Sequence, residues 1–431
     1  MKAGATKGAG LAAVIAAAVL AAWWSGPAIA ATIDVAAGDG LQQAIAAAAP
    51  GDILRLAPGL YSGDVIIEKP LTLEGPAGRE SVIQGSGAGR SIWVKAPDVT
   101  VRQLTIRGSG LSLSEMNAAI FLDKTADRAL IEDNDILDNL IGVYIWGPQK
   151  AMVRNNRIIG RRDLRRSERG NGVQLWNTPG SQVIGNDISS GRDGIFTTTS
   201  RQNVFRGNRF TDVRFAVHYM YTNDSEISDN VSIGNDVGYA IMYSDRLIIR
   251  DNVSDGARNH GLLLNYANGS EISGNAVRGG EKCVFIYDAN KNLLQGNLFE
   301  DCQIGVHFTA GSERNTIAGN AFINNQTQVM YVGTRFLDWS AGGRGNYWSD
   351  NAAFDLDGDG IADTAYRPND VVDQVVWRAP AAKLLLNSPA TQVVRWAQSR
   401  FPAIHPGGVT DSRPLMAPPP IAGEKRLEAQ P

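Results

Sequence analysis

Two groups of side chains in this 431-residue chain have types and spacings suited to chemistry. His218 and Met220 stand two residues apart in the string AVHYMY, and Met242 follows 22 residues after Met220. Imidazole and thioether donors together select a soft ion, Cu(I) where copper is available. The same residues, beside Tyr219, Tyr221 and Tyr243, also suit a protein-contact patch. The second group is FDLDGDGIADTAY, in which Asp355, Asp357, Asp359 and Asp363 surround Gly360. It matches the first nine positions of a Ca²⁺ loop, with glycine at the sharp turn, but Tyr366 occupies the twelfth position, where a bidentate carboxylate belongs. A complete EF-hand is excluded. Two readings stay open: a looser calcium turn, or a loop whose carboxylates cap backbone amides.

Other chemistry is thinly represented. There is no CxxC, HExxH, GxSxG or Walker A string, so any ATP hydrolysis belongs to another subunit. His260, His307 and His405 are scattered in sequence and join no group. Cys283 and Cys302 are too few for a disulfide framework; a bond between consecutive repeats and two buried thiols are equally open. A formal net charge of -3 gives no electrostatic footprint for nucleic acid.

The elements that must position these groups show in a repeat. Asn134, Asn156, Asn186, Asn208, Asn230, Asn252, Asn275, Asn297, Asn320 and Asn346 return in contexts such as IEDNDI, VIGNDI and IRDNVS, mostly at spacings of 22 or 23. Short alternating apolar strings at this period describe strands, and the predicted fold is an all-β, right-handed parallel β-helix with one coil per repeat. The asparagine is expected at a turn, tolerating a left-handed backbone and hydrogen-bonding to its copies above and below. Aligning coils on it places Val143/Ile145, Val173/Leu175, Val217/Tyr219 and Val306/Phe308 inward. Tyr144/Trp146, Gln174/Trp176, Phe196/Thr198, His218/Met220, Ala240/Met242, Leu263/Asn265, Phe285/Tyr287 and His307/Thr309 then point outward. That outward stripe lacks acidic and basic residues, and an apolar exposed stripe of this length reads as a contact surface. Asp193, Asp212, Asp224 and Asp245 are read as turn residues.

The ends complete the plan. Lys2 and Lys7 precede an apolar run closing on Ala28-Ile29-Ala30, so residues 1–30 read as a secretory leader cleaved near Ala30 and the mature chain as exported. Leu41, Ala44, Ile45 and Ala48 share one face of a short helix expected to cap the solenoid, which spans 31–350. Insertions at 108–117 and at 161–169, the latter with five arginines, interrupt the period. An Asp-rich sealing loop is expected over 351–380, a helical segment over 381–416 with Ser388 as N-cap and Pro389 at the first helical position, and a disordered tail over 417–431.

GNYWSD, FDLDGDGIADTAYRP, AAKLLLNSPATQVVRWAQSRFP and TDSRPLM, in that order behind an asparagine-ladder β-helix, resemble the NosD family, from about residue 36 to 416. The resemblance implies a periplasmic accessory protein, not itself an enzyme, that supports maturation of the copper sites of nitrous oxide reductase. It further implies docking on an ABC transporter of permease and ATPase subunits, and receipt of copper from a membrane-anchored chaperone lipoprotein. It supplies no ligand motif, so His218, Met220 and Met242 remain the copper candidates from the column alignment alone. The rival expectation is a carbohydrate-binding or carbohydrate-modifying β-helix, for which Trp146 and Trp176 would stack on sugars.

Overall fold

The computed structural model describes residues 30–309, 311–368, 371–372, 375, 380–385, 388–401 and 408–424. The chain winds as a parallel β-solenoid with three sheet faces, every ladder pairing of the coils being parallel. Sheet 1 stacks 13 strands from Thr32–Val35 to Thr316–Ile317. Sheet 2 runs from Gly59–Ser62 to Tyr347–Trp348, and sheet 3 from Val65–Ile67 to Thr327–Val332. One continuous core fills the tube, and the residues expected inward, including Val143, Ile145, Val173, Leu175, Val217, Tyr219 and Val306, are buried in it.

The asparagine ladder forms a chain of buried amides. Asn208 donates from its backbone N and Nδ2 to Oδ1 of Asn230 at 2.9 and 3.0 Å, and Asn230 repeats both bonds to Asn252 at 3.0 Å. Each Nδ2 also reaches a backbone carbonyl of the preceding coil, as Asn230 does to Phe205 O. The left-handed residue is not the asparagine but the one before it: Asp133, Asn155, Gly185, Gly207, Asp229, Asp251 and Gly274 all have positive φ. The sharp turn is thus made one residue early, which frees the asparagine side chain to point inward along the axis.

Both ends are closed. Helix α1 (Leu41–Ala47) buries Leu41 and Ile45, as expected. Gln42 accepts from Ile66 N at 2.8 Å and donates to Ile66 O at 3.1 Å, occupying the open edge of the first sheet 3 strand. Lys69 donates to the terminal carbonyls of Ala46 and Ala48. At the other end the ladder stops on Asp411, whose Oδ2 accepts from Asn346 N at 2.6 Å and Trp348 Nε1 at 2.8 Å. Trp348 stacks on Phe322 at 4.3 Å and packs against Tyr366 at 4.8 Å.

Three expectations change at this end. The sealing contacts are Asp411 and the tryptophans; the Asp355–Asp363 loop is joined to them through the strap 410–416, by bridges between Ile361 and Leu415 and between Tyr366 and Asp411. The segment 381–416 is helical only in part: a 3-10 turn at Pro380–Leu385 and helix α2 (Pro389–Arg400) precede a strand, Gly408–Thr410, parallel to Phe336–Asp338. Residues 417–424 of the expected tail lie against the solenoid, with Ile421 buried between Ala276 and Leu298 and Gly423 N donating to Gly274 O. A single isoleucine over a ready apolar patch outweighs the polar, proline-rich composition around it. Residues 1–29 and 425–431, which hold most of the leader and the end of the tail, lie outside the described residues, as does His405.

Candidate functional site on the outer face of sheet 3

Between sheets 2 and 3 eight successive coils carry a small residue: Gly142, Gly172, Gly194, Ala216, Gly238, Gly261, Cys283 and Gly305. A Cβ on Gly142, Gly194 or Gly238 would lie 2.4, 2.5 or 2.4 Å from the carbonyl oxygen of the next coil, so at those three coils the bend admits little beyond hydrogen. This bend breaks strand alternation. The residue just before it, three positions ahead of the expected outward stripe, shares the stripe's face.

The consequence centres on His218. Asp193 precedes the bend in its own coil and accepts from His218 Nδ1 across the coil boundary at 3.1 Å. Arg214 grips the same carboxylate with two bonds of 2.8 Å. Burial would raise the Asp193 carboxyl, but hydrogen bonds from His218 and Arg214 outweigh it and hold the group below the usual carboxylate range. Phe196 and Phe215 pack on the imidazole, each at 4.9 Å. His218 is 8% exposed, and its Nε2 is buried without a hydrogen-bond partner. Met220 follows two residues later on the same face, and Met220 and Met242 are register partners on adjacent strands, about 4.8 Å apart. The three residues singled out for copper therefore share one patch.

Around this patch much of the stripe is buried rather than the open surface expected. Tyr144, Gln174, Ala240 and Leu263 are buried. Phe121 and Tyr144 meet edge to face at 5.1 Å, and Leu164 from the 161–169 insertion packs on them with Trp146. Met116 from the 108–117 insertion reaches Gln174 Nε2 at 3.7 Å. Three of the five arginines of the second insertion are turned to the protein's own acids: Arg161 pairs with Asp163, Arg166 with Asp212 and Asp236, and Arg169 with Asp212. Through Leu164 the loop packs onto the stripe, while Arg162 and Arg165 stay exposed. Trp146 and Trp176 stack on one another at 5.7 Å, which uses a ring face of each. Along the far edge runs an exposed ladder of Tyr221, Tyr243 and Tyr266, stacked at 5.1 and 5.0 Å.

His260 and His307, left out by sequence reasoning, also lie here. His260 sits before the bend, 5.5 Å from the Phe285 ring, and His307, the register partner of Phe285 on the next coil, lies 4.8 Å from the same ring. Burial pushes His307 down to about 4, with Lys282 and His260 adding to the shift, and burial also lowers His260. Asp193 was missed because its turn-like context hid a buried carboxylate; the signal that finds it is the Gly/Ala column at 142–305, which marks where alternation resets.

The Asp-rich loop is closed largely on itself. Asp355, Asp357 and Asp359 bring carboxylate oxygens within 4.8 Å of one another. Asp355 accepts from Gly360 N and Gly358 N at 2.8 and 2.7 Å, and these amides lower its pKa. Asp363 stands outside the group and accepts from Leu356 N at 2.8 Å. Amide capping accounts for each of these carboxylates.

A family model described as periplasmic copper-binding protein (NosD) matches residues 154–353, and a model of unknown function (DUF1565) matches residues 39–247. A protein of Stutzerimonas stutzeri named probable ABC transporter binding protein NosD is 42% identical over 380 residues, covering 85% of this chain and 87% of its own length. Its namesake from Pseudomonas aeruginosa is 41% identical over 378 residues, covering 84% and 88%. Among solved structures, the Dettilon tailspike protein aligns at TM-score 0.53 with 15% identity over 66% of this chain and 62% of its own. A family 28 exopolygalacturonase of Yersinia enterocolitica aligns at 0.52 with 10% identity, over 70% and 77%. Likeness at that identity extends to the solenoid fold alone.

Proposed function

Because this chain belongs to the NosD family, we propose that it is a periplasmic accessory protein that takes copper as cargo on the outer face of sheet 3 and presents it for maturation of nitrous oxide reductase. The observation carrying the reading is the environment of His218. Its Nδ1–H donates to a buried carboxylate, which fixes the tautomer and leaves Nε2 as a buried lone pair with no protein partner. Two thioethers, Met220 and Met242, share its face. One imidazole nitrogen and two thioether sulfurs suit Cu(I), a soft ion that tolerates low coordination. Asp193 and Arg214 orient the imidazole, and Phe196 and Phe215 keep water from it.

Docking on an ABC transporter is assigned to the C-terminal segment. Relatives at 42% and 41% identity carry the name ABC transporter binding protein. Around α2, Val393, Trp396 and Phe401 are 63, 61 and 58% exposed, and Leu384 on the preceding turn is 92% exposed. An apolar surface of this kind at one end of a solenoid fits a permease's periplasmic face. The Asp-rich loop is a scaffold that fastens the strap 410–416 to the last coil.

An anaerobic Cu(I) competition titration against a chromophoric chelator tests the copper reading, comparing the mature protein with a His218→Gln, Met220→Leu, Met242→Leu variant. Tight binding that weakens by at least tenfold in the variant is expected. Equal affinity in both proteins would move the cargo off this patch.

A further inference from the structure

The copper patch occupies one stretch of a longer face. Each of the three described histidines lies on the outer side of sheet 3, as do Met220, Met242 and Met330, three of the six described methionines. Each of these histidines also has one ring nitrogen buried without a hydrogen-bond partner: Nε2 of His218, Nδ1 of His260 and Nδ1 of His307. Leaving such a nitrogen unmatched costs stability in the folded chain. Three repetitions on one face are hard to account for as packing alone, since a smaller apolar residue would fit without that cost.

The second concentration is at His307. Met330 is its register partner on the next strand, about 4.8 Å away. Phe285 covers the other side of the imidazole, with ring centroids at 4.8 Å. His307 stands four coils from His218 in the same column, through Ala240, Leu263 and Phe285. That is about 19 Å, too far to share an ion with the first patch. Cys283 and Cys302 are joined in a disulfide that ties together the coils bearing Phe285 and His307. No described thiol is free to compete, so thioethers are the soft donors of this face. The nearby cation, Lys282, is paired with Glu281.

We infer that His307 and Met330 form a second Cu(I) site, an imidazole–thioether pair that makes this face a two-station path along the solenoid axis. The inference rests on the copper reading above and adds a second location to it. With one imidazole and one thioether the second station holds the ion in two-coordinate fashion, more weakly than the three-donor patch, as a hand-over position requires.

The test uses the full mature chain with ¹³C-methyl-labelled methionine, titrated anaerobically with Cu(I) against a chelator and, in parallel, with Ag(I) as a diamagnetic probe read by NMR. Two equivalents bound by the wild type are expected, with the methyl signals of Met220, Met242 and Met330 all shifting. A His307→Gln, Met330→Leu variant should bind one equivalent with Met220 and Met242 still shifting; the His218→Gln, Met220→Leu, Met242→Leu variant should bind one with Met330 shifting. One equivalent in the wild type with a static Met330 signal would overturn the second site and leave the first standing. Neither competable copper nor any shifted methyl would overturn the copper reading and the second site with it. The wild-type spectra decide the matter even where a variant fails to fold.

Discussion

At the scale of single residues, the proposed copper site makes Asp193 and the histidines the groups through which acid and metal act. Replacing Asp193 with Asn removes the charge that orients and enriches His218, and Cu(I) affinity should fall by about 10–100-fold. The chelator competition reads this directly, and an unchanged far-UV spectrum separates it from unfolding. The acid response has a definite sign. His307 has its folded-state pKa lowered to about 4 by burial, below the unfolded value of about 6.5. The unfolded chain therefore binds the extra proton first, and the group's contribution to stability is fully present above pH 6.5 and is lost as pH falls toward 4. His260 is shifted the same way. Thermal melts from pH 7.5 to 4.5 should show a smaller loss of Tm for His307→Gln than for wild type; identical pH slopes would mean that the imidazole is solvated in both states. His218, Met220 and Met242 were legible in the sequence because they fall on strictly alternating positions of aligned coils. Asp193, His260 and the use of His307 were not, because alternation resets at the small-residue bend.

At the scale of elements, the repeat is carried by the asparagine turn. Asn230 accepts from Asn208 through two donors and donates to Phe205 O, Ser228 O and Asn252. An Asn230→Ala substitution strands several of these groups in the core, where each costs about 1–3 kcal/mol. A loss of about 3–5 kcal/mol in urea unfolding is expected. Because a solenoid's stability is close to a sum of neighbour terms, hydrogen exchange should accelerate most in coils 200–260 and little near α1. Uniform acceleration along the chain would contradict nearest-neighbour behaviour. The coil period, the inward columns and α1 were readable because each rests on local patterning, alternation or a helical face. The left-handed residue was misplaced by one position, since Asp, Asn and Gly in the pre-asparagine slot all tolerate positive φ and the asparagine draws the eye. The insertions could be located but not aimed: nothing in RRDLRRSER says that its arginines meet Asp212 and Asp236, some 43 to 70 residues away.

For the whole molecule, a stack of parallel coils is stable only if both ends are finished, because the last coil otherwise offers unpaired strand edges to a second copy. The finish at the C-terminal end is distant in sequence: Asp411 stands where the next ladder asparagine would stand, 65 residues beyond Asn346. It is fully buried, and burial raises its carboxyl pKa even though Asn346, Trp348 and Arg413 donate to it. An acid raised in the fold favours the native state most below its unfolded pKa, and that contribution fades as pH climbs, so the strap gains nothing from alkaline conditions. Asp411→Ala leaves Asn346 N and Trp348 Nε1 without their acceptor and should loosen the strap 410–416, with a cost of about 2–4 kcal/mol. Asp411→Asn keeps an acceptor of the ladder's own kind and loses only the partner of Arg413 N, so its cost should be near 1 kcal/mol. The two variants also separate sealing from copper handling. Light scattering on concentrated protein should show self-association for Asp411→Ala and little for Asp411→Asn, while Cu(I) affinity stays at the wild-type value in both, since the patch at His218 lies several coils away. Copper affinity that falls in step with association would instead tie the metal patch to the integrity of the whole stack.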